Sequence, residues 1–129
     1  MKEICIGIVG GGYMGKAHAV AMSAVGAVFD TNLRPRLEMV CGSSPETSRK
    51  YCKAYGFRRA ADTWEQLVTD EKVQAVIIAS PQSTHLKIAL KALDLGKPVF
   101  CEKPLGINVE DGKNGCCSRT KWCGQYDRL

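Results

Sequence analysis

Two rhythms of apolar and polar positions alternate along this chain. Residues 3–9 form a short, nearly continuous apolar run, Glu-Ile-Cys-Ile-Gly-Ile-Val, the pattern of a strand buried on both faces. Glycines follow at 10, 11, 12 and 15. The period then turns helical, with Ala17, Val20, Ala21, Ala24 and Val25 on one predicted face and Gly26 as its close. Residues 27–36 read as a polar connection and 37–41 as a second strand. Ser44, Pro45 and Glu46 read as an N-cap, a first-turn proline and an early acid, so a helix is predicted to about Tyr55, ending at Gly56. A short strand near 57–60 and a helix over 63–68 come next. Residues 73–79 make the strongest strand pattern, broken by Ser80-Pro81. Thr84 then caps a predicted helix with the stripe Leu86, Ala89, Leu90 and Leu93, closed by Gly96, before a last strand at 98–101. This βαβα…β succession predicts an α/β fold, a doubly wound parallel sheet of Rossmann type.

Composition narrows the class. At 129 residues the chain has the length of about one domain. With 45% hydrophobic and 24% charged residues it is neither collagen-like, low-complexity nor broadly disordered. No apolar run approaches the roughly 18–20 residues of a bilayer span. Met1-Lys2-Glu3 leads straight into a strand pattern, so no signal peptide is expected and the location is read as cytoplasmic. The net charge of +5 is scattered, with Arg58-Arg59 as the densest pair. That argues against nucleic-acid or membrane partners and suits a phosphate-bearing ligand. Cys5, Cys41 and Cys101 lie inside strand patterns, where a thiol packs as a small hydrophobe, and Cys52 lies in a helix pattern. An odd total of seven cysteines argues against a disulfide framework.

The candidate chemistry begins at Gly10-Gly11-Gly12-Tyr13-Met14-Gly15, a G-x-G-x-x-G loop between a strand and a helix. Gly10 would allow the tight turn. Gly12 would let a diphosphate approach the backbone, and Gly15 would let the helix pack close to the sheet. The anion would rest on N–H groups at the positive end of the helix, with Tyr13 and Met14 in its first turn. The bland alternative is a glycine-rich turn with no ligand. At the end of the second strand, where an acid would bind ribose hydroxyls, stand Gly42 and Ser43, with Ser44 next and Arg49 a turn later. An Asp there would repel a 2′-phosphate and these residues would not, so NADP is favoured over NAD, with tolerance of either cofactor as the alternative.

Two further motifs end later strands: Ser80-Pro81-Gln82-Ser83-Thr84-His85, and Cys101-Glu102-Lys103-Pro104-Leu105-Gly106. With the glycine loop and His18-Ala19 they resemble the glucose-fructose oxidoreductase / inositol dehydrogenase (Gfo/Idh/MocA) family over residues 3–113. The resemblance implies an N-terminal NAD(P)-binding domain and hydride transfer between the cofactor and a hydroxyl carbon of a small sugar or polyol. It implies that Lys103 lies beside the nicotinamide and polarises the substrate oxygen as the catalytic residue. Glu102 would help place it, Pro104 would follow a cis peptide, and Ser80, Pro81 and His85 would line the cofactor channel. His85 reads equally as a helix-start residue without a ligand. His18 reads as a packing or hydrogen-bonding histidine rather than a catalyst.

The family is longer, and residues 114–129 fit neither the helix nor the strand it would place there. Residues 1–113 are therefore read as the dinucleotide-binding domain, truncated at its C-terminal end and lacking the substrate domain, with 114–129 as an aberrant or disordered tail. One choice of codons for that tail, shifted by a base, reads Met-Val-Ala-Ala-Ala-Glu-Arg-Ser-Gly-Ala-Val-Asn-Met-Ile-Gly, as a frameshift would give. A thiolate metal site from Cys116, Cys117 and Cys123 is disfavoured: adjacent cysteines space poorly for a tetrahedron and no histidine is near, so no metal is expected. The alternatives to an oxidoreductase are an inactive dinucleotide-binding module and a product without activity. An uncovered sheet edge would invite self-association.

Overall fold

The first strand, β1 (Lys2–Val9), is exposed at its start and fully buried over its last four residues, so the sheet deepens toward the glycine loop. The computed structural model describes residues 2–103, 107, 108 and 110. Pro104 and the 114–129 tail, with Cys116, Cys117 and Cys123, lie outside them. After β1 come α1 (Tyr13–Val28), β2 (Leu33–Cys41), α2 (Pro45–Tyr55), β3 (Arg59–Ala60), α3 (Trp64–Thr69) and β4 (Ala75–Ile78). A single 3-10 turn (Gln82–Thr84) leads into α4 (His85–Asp94), and β5 (Val99–Cys101) follows.

All strand pairs are parallel, in the order β3-β2-β1-β4-β5. The chain winds outward one way from β1 and then returns to wind the other way from β4. The break between β1 and β4 is the switch point where open α/β sheets bind ligands, at the carboxyl ends of the strands. Two apolar layers flank the sheet. Ile6, Ile8, Val40 and Ile77 pack with Ala19 and Met22 of α1 and Tyr51 and Tyr55 of α2. On the opposite face Val9, Met39, Val76 and Ile78 pack with Leu67 and Val68 of α3 and Ile88, Ala89 and Ala92 of α4.

Local signals account for most element ends. Ser44 accepts the Thr47 N–H at the start of α2, Pro45 opens that helix, and Gly56 ends it at φ 80°. Thr63 caps α3 by accepting from the Gln66 N–H. Thr84 departs from expectation. Its hydroxyl bonds to the Pro81 carbonyl at 2.6 Å and to the Ser80 hydroxyl at 2.7 Å, and it makes no side-chain cap of α4.

Three other expectations are revised. The inward row of α1 is Gly15 and Ala19, with His18 and Met22 half-buried, while Ala17 and Ala21 are exposed and Val20 is 60% exposed. The cause is Gly15: a Cβ there would stand 1.9 Å from the Gly10 carbonyl oxygen, so this contact sets the rotation of the helix. In α4 the deepest row is His85, Ile88, Ala89 and Ala92, and the expected leucines flank it half-buried. The second strand begins at Leu33 rather than 37, because residues 33–36, two of them arginines, pair with the exposed start of β1.

Glu38 explains a break in strand parity. Ile6 faces Leu37 and Gly7 faces Met39, so Glu38 is the extra residue of a bulge. It is 3% exposed, yet Arg59 donates to it at 3.0 Å and grips Asp70 with two bonds of 2.7 and 2.8 Å. A buried carboxylate thereby keeps its partner. At the end of α3, the Lys97 ammonium donates to the carbonyls of Val68 and Asp70, which ties that helix to the start of β5.

Candidate functional site

The carboxyl ends of β1, β2 and β4 open onto a cleft of about 700 Å³. The glycine loop forms its floor, and four glycines there serve four different ends. Gly10 sits at φ 102°, and a Cβ would lie 2.5 Å from the Ala79 backbone. Its N–H donates to the Cys41 carbonyl, and Ala79 donates to Val9, so the loop is sewn to both neighbouring strands. At Gly11 a Cβ would strike the Tyr51 ring at 1.9 Å. Gly15 touches the Gly10 carbonyl, as described.

Gly12 alone in this loop has open space: nothing lies within 4 Å of its missing Cβ. It is the N-cap of α1, without a side-chain cap, and the first helical bond runs from Lys16 N–H to the Gly12 carbonyl. The N–H groups of Tyr13, Met14 and Gly15 precede that bond and have no partner within the helix. They present the positive helix end to the cleft, the arrangement that holds phosphate. Tyr13 is 88% exposed, and both it and Met14 line the cleft.

The opposite wall comes from the ends of β2 and β4. Ser43, Ser80 and Pro81 line the cleft, joined by Cys41, Tyr51, Trp64 and Thr84. No lining residue among those described is acidic. Ser44 is absent from this lining, its hydroxyl being shared between the Thr47 N–H and the Thr47 hydroxyl. His85 is 2% exposed and donates Nε2–H to the Ser80 carbonyl at 2.8 Å, shaping the β4 loop from behind. Burial pushes the Cys41 thiol pKa upward, so Cys41 meets the cleft as an apolar neighbour rather than a nucleophile.

Sequence reasoning missed the tyrosines. Tyr51 and Tyr55 stack one turn apart on α2, with ring centroids 5.5 Å apart. The Tyr55 hydroxyl donates to the Gly11 carbonyl at 2.8 Å. Together they press the glycine loop into place from outside the loop. The signal available was their i, i+4 spacing on the inner row of α2.

Glu102 and Lys103 follow β5 at the same edge of the sheet. The Glu102 N–H extends the ladder by donating to the Ile78 carbonyl, and Lys103 is exposed. The Glu102 carboxylate meets His18 Nε2 of α1 at 2.5 Å. Sequence reasoning made His18 a hydrogen-bonding histidine without naming its partner.

Comparison with known proteins agrees with this geometry. A family model described as an oxidoreductase family with an NAD-binding Rossmann fold matches residues 4–117. Levoglucosan dehydrogenase of Pseudarthrobacter phenanthrenivorans is 32% identical over 114 residues, 88% of this chain and 29% of its own length. Inositol 2-dehydrogenase of Rubrobacter xylanophilus is 34% identical over 115 residues, again 29% of its length. A solved levoglucosan dehydrogenase in complex with NADH superimposes with a TM-score of 0.87 at 31% identity, covering 89% of this chain and 31% of that one. A biliverdin reductase from Synechocystis with biliverdin and NADP+ matches at 28% identity and a TM-score of 0.73. The chain thus spans about 30% of the length of these relatives. No helix among the described residues is long and apolar enough to cross a membrane.

Proposed function

This chain belongs to the Gfo/Idh/MocA family of oxidoreductases with an NAD-binding Rossmann fold, and from that premise we propose that it is the cofactor-binding part of an NAD(P)-dependent dehydrogenase. Residues 1–113 are the dinucleotide-binding unit in this reading. The observation that carries it is Gly12: open space above a helix N-terminus, at the switch point, in a cleft of cofactor scale. The diphosphate would rest on the N–H groups of Tyr13, Met14 and Gly15. Ser43 would meet the adenosine ribose, while Ser80, Pro81, Glu102 and Lys103 would serve the nicotinamide half. Ser44 and His85 hold the two loops in shape.

When bound, the dinucleotide supplies the hydride acceptor or donor. Lys103 is the catalytic residue of this reading. Its ammonium would orient the substrate oxygen and stabilise alkoxide character as the hydride leaves the carbon. The relatives named for levoglucosan and inositol support a sugar or cyclitol hydroxyl carbon as the reacting group.

We favour NADP over NAD. An acidic residue at the end of β2 would repel a 2′-phosphate, and the described cleft lining has none. Arg49, 62% exposed on α2 and loosely held 3.7 Å from Glu46, is not part of the cleft lining. Fluorescence titrations with NADPH and NADH test both parts. Tighter NADH binding would remove the NADP preference, and binding of neither would remove the cofactor reading. Turnover assays on polyols then separate a dehydrogenase from a module that only holds dinucleotide.

Self-association belongs to the same proposal. Among the described residues β5 has a neighbouring strand on one side only, and Phe100 is 57% exposed there. A hydrodynamic radius that stays monomeric across concentration would exclude it.

A further inference from the structure

His18 has no part in the cofactor reading so far, yet it makes a contact that crosses the molecule. It stands on α1, past the first turn, and its partner Glu102 stands 84 residues later, just beyond β5. The Nε2–Oε1 distance is 2.5 Å, with the two side chains only 15% and 20% exposed. An ionised carboxylate accepts only, so the ring nitrogen donates. The His18 ring also meets Phe100 edge-on, with centroids 5.2 Å apart at 66°. Strand alternation places Phe100 and Glu102 on the α1 side of the sheet, while Cys101 packs into the opposite layer.

Glu102 is therefore fixed at two points. Its N–H is held by the Ile78 carbonyl of β4, and its carboxylate is held by α1. Lys103 is one peptide further on. The helix whose N-terminus faces the cleft is thus tied by a side chain to the strand end that delivers the lysine. Among the described residues, no other bond of Glu102 restrains that exit from the α1 side.

We propose that His18 is a positioning residue for the nicotinamide half-site: through Glu102 it fixes where the chain leaves β5, and with it the place of Lys103. This rests on the cofactor reading above. The adenosine end, toward Ser43 and β2, lies on the other side of the switch point, so the tie should not affect it. The part of the dinucleotide concerned is the nicotinamide ring, which ADP-ribose lacks.

The test compares ligands that differ only in the nicotinamide ring. NADPH is paired with 2′-phospho-ADP-ribose, and NADH with ADP-ribose, by calorimetry on the full chain. His18→Leu keeps apolar contact with Phe100 and removes the donor, and His18→Gln restores an N–H donor. Glu102→Gln breaks the charge from the other side, so the ratio is still read if α1 does not tolerate leucine. The expected result is that His18→Leu weakens the dinucleotide about ten-fold, leaves the ADP-ribose ligand within about two-fold, and that His18→Gln recovers most of the loss. Equal weakening of both ligands, no weakening of either, or no rescue by glutamine overturns the positioning role while leaving the cofactor reading intact. Failure of the unaltered chain to bind ADP-ribose or dinucleotide overturns both.

Discussion

Gly12→Ala separates a glycine kept for a ligand from one kept for the fold. Gly12 has φ −71° and ψ −153°, extended backbone that alanine adopts freely. Its Cβ would meet nothing within 4 Å. Two small stability effects then oppose each other. Alanine is a poorer N-cap than glycine by about 0.5–1 kcal/mol. Against this, a less flexible unfolded chain returns about 0.4–1 kcal/mol. The net change should lie within about 0.5 kcal/mol of zero. Binding is another matter, because the methyl group would occupy the approach of the diphosphate to the backbone. Loss of one charge-assisted hydrogen bond, about 1.5–3 kcal/mol, weakens the dinucleotide roughly ten- to a hundred-fold. Urea denaturation and NADPH titration on one preparation read both quantities. Unchanged affinity, or an affinity loss that merely follows a loss of stability, would refute the reasoning. Gly10→Ala is the contrast. Its φ of 102° and the Ala79 backbone at 2.5 Å should cost about 2–4 kcal/mol in stability whatever the ligand does.

Further outcomes follow from other contacts. Gly11→Ala should destabilise by about 1–3 kcal/mol, because its methyl enters the Tyr51 ring, and much of this should vanish in the Gly11→Ala/Tyr51→Ala double variant; additive effects in a denaturation cycle would show that the two do not meet. The Arg59 guanidinium holds the Asp70 carboxyl at about 2, below its ordinary 3.8. A lowered folded value means stability that is complete above about pH 4 and lost as the pH falls toward 2. Because Arg59 is 37% exposed, screening limits the increment to about 1 kcal/mol, and Asp70→Asn should flatten the acid limb of the stability profile. Burial, with help from the Glu102 charge, pushes the Cys101 thiol up to about 12. Peptide-mapped alkylation at pH 8 should leave Cys101 unmodified in the folded chain and label it after unfolding; rapid native labelling would contradict its placement.

The order of elements was legible because the central strands are buried on both faces over their inner residues. Runs such as residues 75–79 are apolar whatever they touch, and the caps at Ser44 and Gly56 act within a few residues of themselves. What could not be read depends on distant partners. Alanines and valines lie on several faces of α1, so its rotation was set by one contact, Gly15 on the Gly10 carbonyl. Residues 33–36 carry two arginines and a proline, and pair only because the exposed start of β1 lies beside them. Glu38 interrupts an apolar run, and its partner Arg59 is 21 residues away. In the candidate site the glycine loop was visible as a motif. The stacked tyrosines that brace it were not, since their role needs α2 folded over the loop. Ser44 and His85 were singled out by motif position, yet one hydroxyl is taken by a helix cap and one ring faces inward.

Strand polarity has a practical consequence. Every strand points the same way, and β1 starts at Lys2, eight residues before the loop. At about 3.3 Å per residue, that sets Lys2 roughly 25 Å from Gly10, at the opposite end of the strand. A domain anchored to a solid support through the Lys2 end of β1 would therefore hold its cleft toward the bulk solution. Dinucleotide could then be sensed on a surface with no linker crossing the mouth of the site.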